Sequence, residues 1–297
     1  MRTAFSCLLL LLFFTAHPVL AQVDPSWTTP VAPFRIADNL YYVGSKELAS
    51  YLVVTPKGNI LINANLATSP PQIRASVQKL GFRWGDIKIL LNSQAHDDHM
   101  GGAAEIIRET HAKNMVMDGD ASVVESGGRA DFMFPSPDLH TYAPSHVDRI
   151  LKDGNTVSLG GVTLTAHKTA GHTRGCTTWT MQSHLPGEPM GTTRNIVIVG
   201  GTAFWSEYRF VATPGHPISY PGIVQDFQRT FVELRGLPCD VFLGAHGAYF
   251  GLLKKLQLYQ KEGPHVFIDP DGYKQFVASS QEKFVKELNK QRASATR

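Results

Sequence analysis

The sequence predicts a protein of the α/β class, and three observations carry that reading. Apolar runs of strand length alternate with helical stretches through both halves of the 297 residues. Three of those runs end in short turns that each present histidine, at Gln94-Ala95-His96-Asp97-Asp98-His99, at Gly171-His172-Thr173 and at Ala245-His246-Gly247. No Pro- or Ser-rich linker divides the chain, so one compact domain over 22–297 is expected.

The elements follow in chain order. Met1-Arg2, the apolar core Leu8 to Phe14 and Val19-Leu20-Ala21 have the layout of a secretory signal peptide over residues 1–21, which places the mature protein in the periplasm. The apolar core is too short to span a bilayer, and Cys7 precedes it where a lipidated cysteine would follow it. Leu40 to Val43, Ser50 to Val54 and Ile60 to Asn63 read as strands, with a helix around Gln72 to Leu80. The strand Ile87 to Asn92 runs into the Gln94–His99 cluster, and a helix over Ala103 to Thr110 follows. In the second half Thr163 to Ala166, Asn195 to Val199 and Val241 to Leu243 are strands, and Gln225 to Leu234 is a helix. Tyr273, Phe276, Val277, Ser280, Phe284 and Leu288 recur at helical spacing, the pattern of an amphipathic C-terminal helix packed on the body.

The cluster sits where a strand gives way to a helix. There, side chains one to three residues apart can converge, which strict two-residue alternation along a strand forbids. His96, Asp98 and His99 supply nitrogen and carboxylate donors, the set suited to divalent zinc with a position left for water. A lone His beside an Asp is usually a surface hydrogen bond; His172 and His246, each delivered by the same strand-and-turn design, make a metal site the better reading. His111, His140, His146, His167, His184, His216 and His265 read as solvated or locally bonded, with a place behind His172 as the alternative for His167.

The order Gln-x-His-x-Asp-His, then Gly-His-Thr-x-Gly, then a His in Gly-Ala-His-Gly resembles the metallo-β-lactamase superfamily over nearly all of the mature chain. The flanking Pro33-Phe34-Arg35-Ile36-Ala37-Asp38-Asn39-Leu40-Tyr41-Tyr42-Val43-Gly44 and Leu237-Pro238-Cys239-Asp240 resemble subclass 3 of the class B β-lactamases, and Gln94 matches its glutamine variant. The resemblance implies an αββα sandwich with the metal site at one edge between the sheets. It implies a first zinc on Gln94, His96 and His172, and a second on Asp98, His99 and His246. An amide oxygen is a weaker zinc donor than imidazole, so the first position is expected to be the weaker one and the chain to hold one or two Zn2+. The implied reaction is hydrolysis of the β-lactam amide of penicillins, cephalosporins and carbapenems by hydroxide generated on the metal, with Asp98 as the catalytic carboxylate.

Specificity is expected from other residues. Many superfamily relatives, thioesterases and lactonases among them, carry a metal-bridging aspartate after a later strand; Val197-Ile198-Val199-Gly200-Gly201 offers glycine there, which favours a β-lactam substrate. Thr202 is the candidate for hydrogen bonding the substrate carboxylate, with a strand-end hydroxyl bonded to backbone as the alternative; Arg209 is a weaker one. Phe132, Phe134 and Trp205 are candidates for an apolar rim. Leu61-Ile62-Asn63-Ala64-Asn65 departs from the Leu-Ile-Asp-Gly-Gly type common in relatives, which removes a supporting aspartate. These departures leave two alternatives open, another hydrolase of the superfamily and an inactive exported zinc-binding protein.

Once Arg2 is removed, 27 basic side chains face 25 acidic ones, a balance that gives no reason to expect nucleic acid or an anionic membrane as partner. A small-molecule substrate and a monomeric state are expected. Cys176 and Cys239 are the cysteines of the mature chain, and both are expected to be reduced.

Overall fold

The computed structural model describes residues 24–133 and 140–295. The leader read over residues 1–21 and the rim candidate Phe134 lie outside the described residues.

After a one-turn helix α1 (Pro25–Thr28), the first half builds a seven-stranded sheet in sequence order. Its strands are β1 (Phe34–Ala37), β2 (Leu40–Tyr42), β3 (Tyr51–Thr55), β4 (Gly58–Ile62), β5 (Ile87–Leu91), β6 (Lys113–Met117) and β7 (Arg149–Leu151). β1 to β4 pair antiparallel, and β4 to β7 pair parallel. The parallel pairs require crossovers; helices α2 (Pro70–Lys79), α3 (Asp97–Met100), α4 (Ala103–Thr110) and α5 (Ala121–Glu125) lie in those connections. The second sheet runs β12-β11-β10-β9-β8, from β8 (Thr156–Leu159), β9 (Val162–Lys168), β10 (Thr177–Ser183), β11 (Arg194–Val199) and β12 (Val241–Gly244). Helices α6 (Ile223–Gly236), α7 (Leu252–Glu262) and α8 (Pro270–Ala295) accompany it.

Two-residue alternation decides which core each side chain joins. Tyr51, Val53, Ile60 and Ile62 enter the main core with Leu164, Trp179 and Ile196 of the other sheet, whereas Leu52 and Leu61 join Ile73, Val77 and Ile106 of α2 and α4 in a separate cluster. β11 is buried from Ile196 to Val199, and Phe227, Phe231 and Phe284 of α6 and α8 belong to the main core. Each such ring contributes roughly 1.5–3 kcal/mol by burial. The result is the expected αββα sandwich.

Helix α4 has the bounds expected of it because His111 ends it in a left-handed conformation, φ 58°, its N–H bonded to the Ile107 carbonyl at 2.8 Å. The C-terminal stripe is also as expected, with Tyr273, Val277, Phe284 and Leu288 buried on one long helix. Asn63 and Asn65 both take positive φ, 67° and 55°, a conformation asparagine tolerates better than most residues. Cys176 and Cys239 are free thiols. No helix among the described residues is long and apolar enough to cross a membrane.

Candidate metal centre

Every loop that bears a candidate ligand leaves the C-terminal end of a strand: β5 leads to Gln94–His99, β9 to His172, and β12 to His246. Asn92 to Ala95 are held on all sides. Asn63 Oδ1 accepts the Ser93 N–H at 2.8 Å, Ser93 O accepts the Thr177 N–H at 2.7 Å, and Asn92 O accepts the Trp179 indole N–H at 2.9 Å. Tyr142 donates its hydroxyl to Ala95 O at 2.6 Å. His96 then stands at the N-cap of the one-turn α3, which brings Asp98 and His99 round to the same side.

His246 reaches the centre because β12 is tied to the first sheet. Ala49 donates to Ala245 O at 2.9 Å, Tyr51 donates its hydroxyl to Gly244 O at 2.7 Å, and Leu48 and His246 form an isolated antiparallel bridge. The outcome is a tight triad. Asp98 Oδ2 lies 3.1 Å from His99 Nε2 and 3.3 Å from His246 Nε2, and the two Nε2 atoms are 3.2 Å apart. Donors about 2.0–2.2 Å from one tetrahedral zinc stand roughly 3.3–3.6 Å apart, so three corners of such a shell are present. Among the described residues this is the one group of three His, Cys, Asp or Glu donors close enough together to hold an ion.

The second set lies alongside. His96 and His172 meet edge to face with ring centroids 4.8 Å apart. Gln94 is 1% exposed and its Oε1 has no hydrogen-bond donor, an expensive state for a buried amide oxygen that a cation would relieve. The donors at both positions therefore fit zinc.

The outward nitrogen of three histidines is engaged, which assigns the nitrogen left for metal. His172 Nδ1 donates to Ala203 O at 2.8 Å, leaving Nε2. His246 Nδ1 faces Glu47 Oε1 at 3.3 Å, leaving Nε2. His96 Nε2 faces Asp131 Oδ2 at 3.2 Å, leaving Nδ1.

Charge follows from these contacts. Burial opposes ionisation of Asp98, but His99 and His246 hold its carboxyl well below the ordinary range. Burial likewise opposes charge on His246, and hydrogen bonds to Asp98 and Glu47 outweigh it, lifting the ring to about 9. His172 is pushed down to about 3 by burial and by neighbouring His96.

Asp120 explains the Gly-His-Thr-x-Gly motif. Its carboxylate accepts from Thr173 Oγ1 at 2.7 Å and from the Gly175 N–H at 2.7 Å, clamping the loop on either side of the turn after His172. A side chain at position 175 would put its Cβ 2.6 Å from Asp120 N, so glycine is required by close approach. Burial raises the Asp120 carboxyl to about 6.

The remaining candidates divide. Trp205, 43% exposed, lies over both His96 and His172 with centroids 5.4 and 5.2 Å away, as a rim residue would. Phe132 packs instead on Tyr208 and Tyr220 and belongs to the edge of the core. Thr202 is buried and donates to Ser280 Oγ at 3.1 Å, so its partner is a side chain and not the backbone. Arg209 is exposed and bonded to Pro217 O. His167 is locally bonded, as expected: it lies within β9, and its nitrogens bond Glu233 and Thr180 and not the surroundings of His172. A Cβ at Gly201 would lie 3.2 Å from His172 Cδ2, so a carboxylate at this position would adjoin the His172 ring. Asn63 and Asn65 replace the lost aspartate by amide donation to Ala49 O and Leu48 O, next to the strand-to-strand tie that carries His246.

The model of the metallo-β-lactamase superfamily matches residues 49–184. Native FEZ-1 metallo-β-lactamase from Legionella gormanii is 46% identical, with a TM-score of 0.84 over 89% of this chain and 98% of that one. BJP-1 of Bradyrhizobium japonicum, a subclass B3 metallo-β-lactamase, is 35% identical, with a TM-score of 0.81 over 91% and 98%. A probable metallo-hydrolase of Burkholderia pseudomallei (strain 1710b) is 28% identical over 173 residues, and the match takes in 57% of this chain and 54% of that relative. The chain thus spans about half the length of the curated relatives it matches. The chain belongs to the metallo-β-lactamase superfamily and, within it, to subclass B3.

Proposed function

We propose that the chain is an exported β-lactamase that opens the amide of penicillins, cephalosporins and carbapenems. The observation that carries the reading is the Asp98, His99 and His246 triad beside a glycine, Gly201, in the position where a carboxylate would adjoin His172. A glycine there sets no further carboxylate beside the donors, which favours a bicyclic amide over a thioester.

Asp98, His99 and His246 would hold one zinc, and Gln94, His96 and His172 another. Zinc supplies Lewis acidity and lowers the pKa of water to about 7. Asp98, ionised by its two histidine neighbours, accepts the hydrogen bond of the attacking water and aims it at the lactam carbonyl. As the C–N bond breaks, the nitrogen takes its proton from water. Trp205 supplies an apolar face that shields His96 and His172 from solvent. Thr202 lines a groove of about 700 Å³ with Ser280, Lys283 and Lys286, and receives the substrate carboxylate by turning its hydroxyl away from Ser280.

Purified mature protein is expected to turn over a carbapenem and to leave a thioester intact. The reverse preference would assign the thioesterase class, and inactivity on both with zinc bound would assign a binding protein.

Gln94 is proposed to set metal occupancy. At low free zinc the natural chain is expected to hold closer to one ion than two, and Gln94→His to raise the content towards two, because imidazole is the better donor. Elemental analysis after dialysis decides it; equal content in both proteins would show that Gln94 has no such effect.

A further inference from the structure

The Gln94, His96 and His172 set is wholly uncharged, and its amide oxygen is a weaker donor to a divalent cation than a third imidazole would be. The Asp98 carboxylate belongs to the neighbouring triad. Behind His96, however, stands Asp131, whose side chain is 2% exposed. One carboxylate oxygen accepts the Met133 N–H at 2.7 Å, and the other lies 3.2 Å from His96 Nε2. The backbone bond fixes the carboxylate so that its second oxygen faces the imidazole. Asp120, also buried and bonded to Thr173 and Gly175, adds a second carboxyl on the same side.

We infer that Asp131 is the positioning residue that makes the first metal position usable without a third imidazole: it fixes His96 with Nδ1 inward and lends the site negative charge through the ring. Carboxylates bonded to the far nitrogen of a ligating histidine raise its basicity, and their loss typically lowers metal affinity about tenfold to a hundredfold. Here the effect is confined to one of two positions, since Asp98, His99 and His246 make no contact with Asp131 among the bonds described. The inference rests on the two-position reading above.

The test is zinc binding to the full mature chain, followed with a competing chromophoric chelator, for the natural protein, Asp131→Ala, Asp131→Asn and Asp131→Asn with Gln94→His. The weaker of two binding steps is expected to lose about tenfold to a hundredfold in affinity in Asp131→Ala and about tenfold in Asp131→Asn, where an amide still accepts from Nε2–H. The tighter step is expected to stay within about twofold, and Gln94→His to recover the weaker one. A purely structural role would weaken both steps together, and an idle Asp131 would leave both intact; either result overturns the inference. If Asp131→Ala does not fold, the isosteric Asp131→Asn decides by the same criterion. A natural chain that takes a single ion even at saturating zinc defeats the two-position reading itself, visibly before any variant is made, and the inference with it.

Discussion

Purified protein treated with a strong chelator is expected to hydrolyse no β-lactam, and added zinc to restore the full rate. The expectation follows from the triad. Asp98, His99 and His246 crowd three polar atoms within 3.3 Å of one another, and none of them is a nucleophile of the Ser or Cys kind. Cys176 could supply a thiolate, but burial pushes its thiol far above neutral pH and its Sγ is engaged with Gly201 O. Water is the nucleophile that such a triad serves, and at neutral pH a bound metal would be needed to ionise it. Full turnover by protein shown metal-free by elemental analysis would rule the mechanism out.

Asp98→Asn is expected to lower turnover by at least about a hundredfold and to reduce zinc content. The amide has the same shape, so the main loss is charge. Two buried imidazoles meet the same oxygen, and without the carboxylate nothing in the triad offsets a cation. Steady-state kinetics with parallel zinc analysis checks this; a variant that keeps most of its rate and metal would remove Asp98 from the ligand set.

How far such a site can be read in a sequence depends on how local its signals are. The grouping of Asp98, His99 and His246 was legible because each lies in a short segment where residue type and turn chemistry coincide. Strands such as Ile87–Leu91 were legible because every residue but Lys88 is apolar and buried. β10, Thr177–Ser183, was not, since its threonines are buried polar residues that break the contrast alternation relies on. α7 shows a single buried residue, Leu252, and so has little apolar signature. Glu47, Asp120 and Asp131 were missed for a different reason. Each is a lone carboxylate in an unremarkable stretch, and its task exists only once a distant loop is folded against it. Only Asp120 left a trace, in the Thr173-x-Gly175 spacing that its carboxylate explains. His167 is locally bonded because β9 extends to Lys168 and turns that ring towards α6, away from His172.

The triad draws on both sheets: His99 follows β5 and His246 follows β12, 147 residues later. An ion bound there is a cross-link between halves that are otherwise joined by packing and a few backbone ties. An ion held by the folded triad and released on unfolding draws the folding equilibrium towards the native state by mass action, by roughly 2.7 kcal/mol at a hundredfold excess over the dissociation constant. Zinc supply would then govern the lifetime of the folded molecule as well as its turnover, and a cell that starves the enzyme of metal would lose the protein along with its activity.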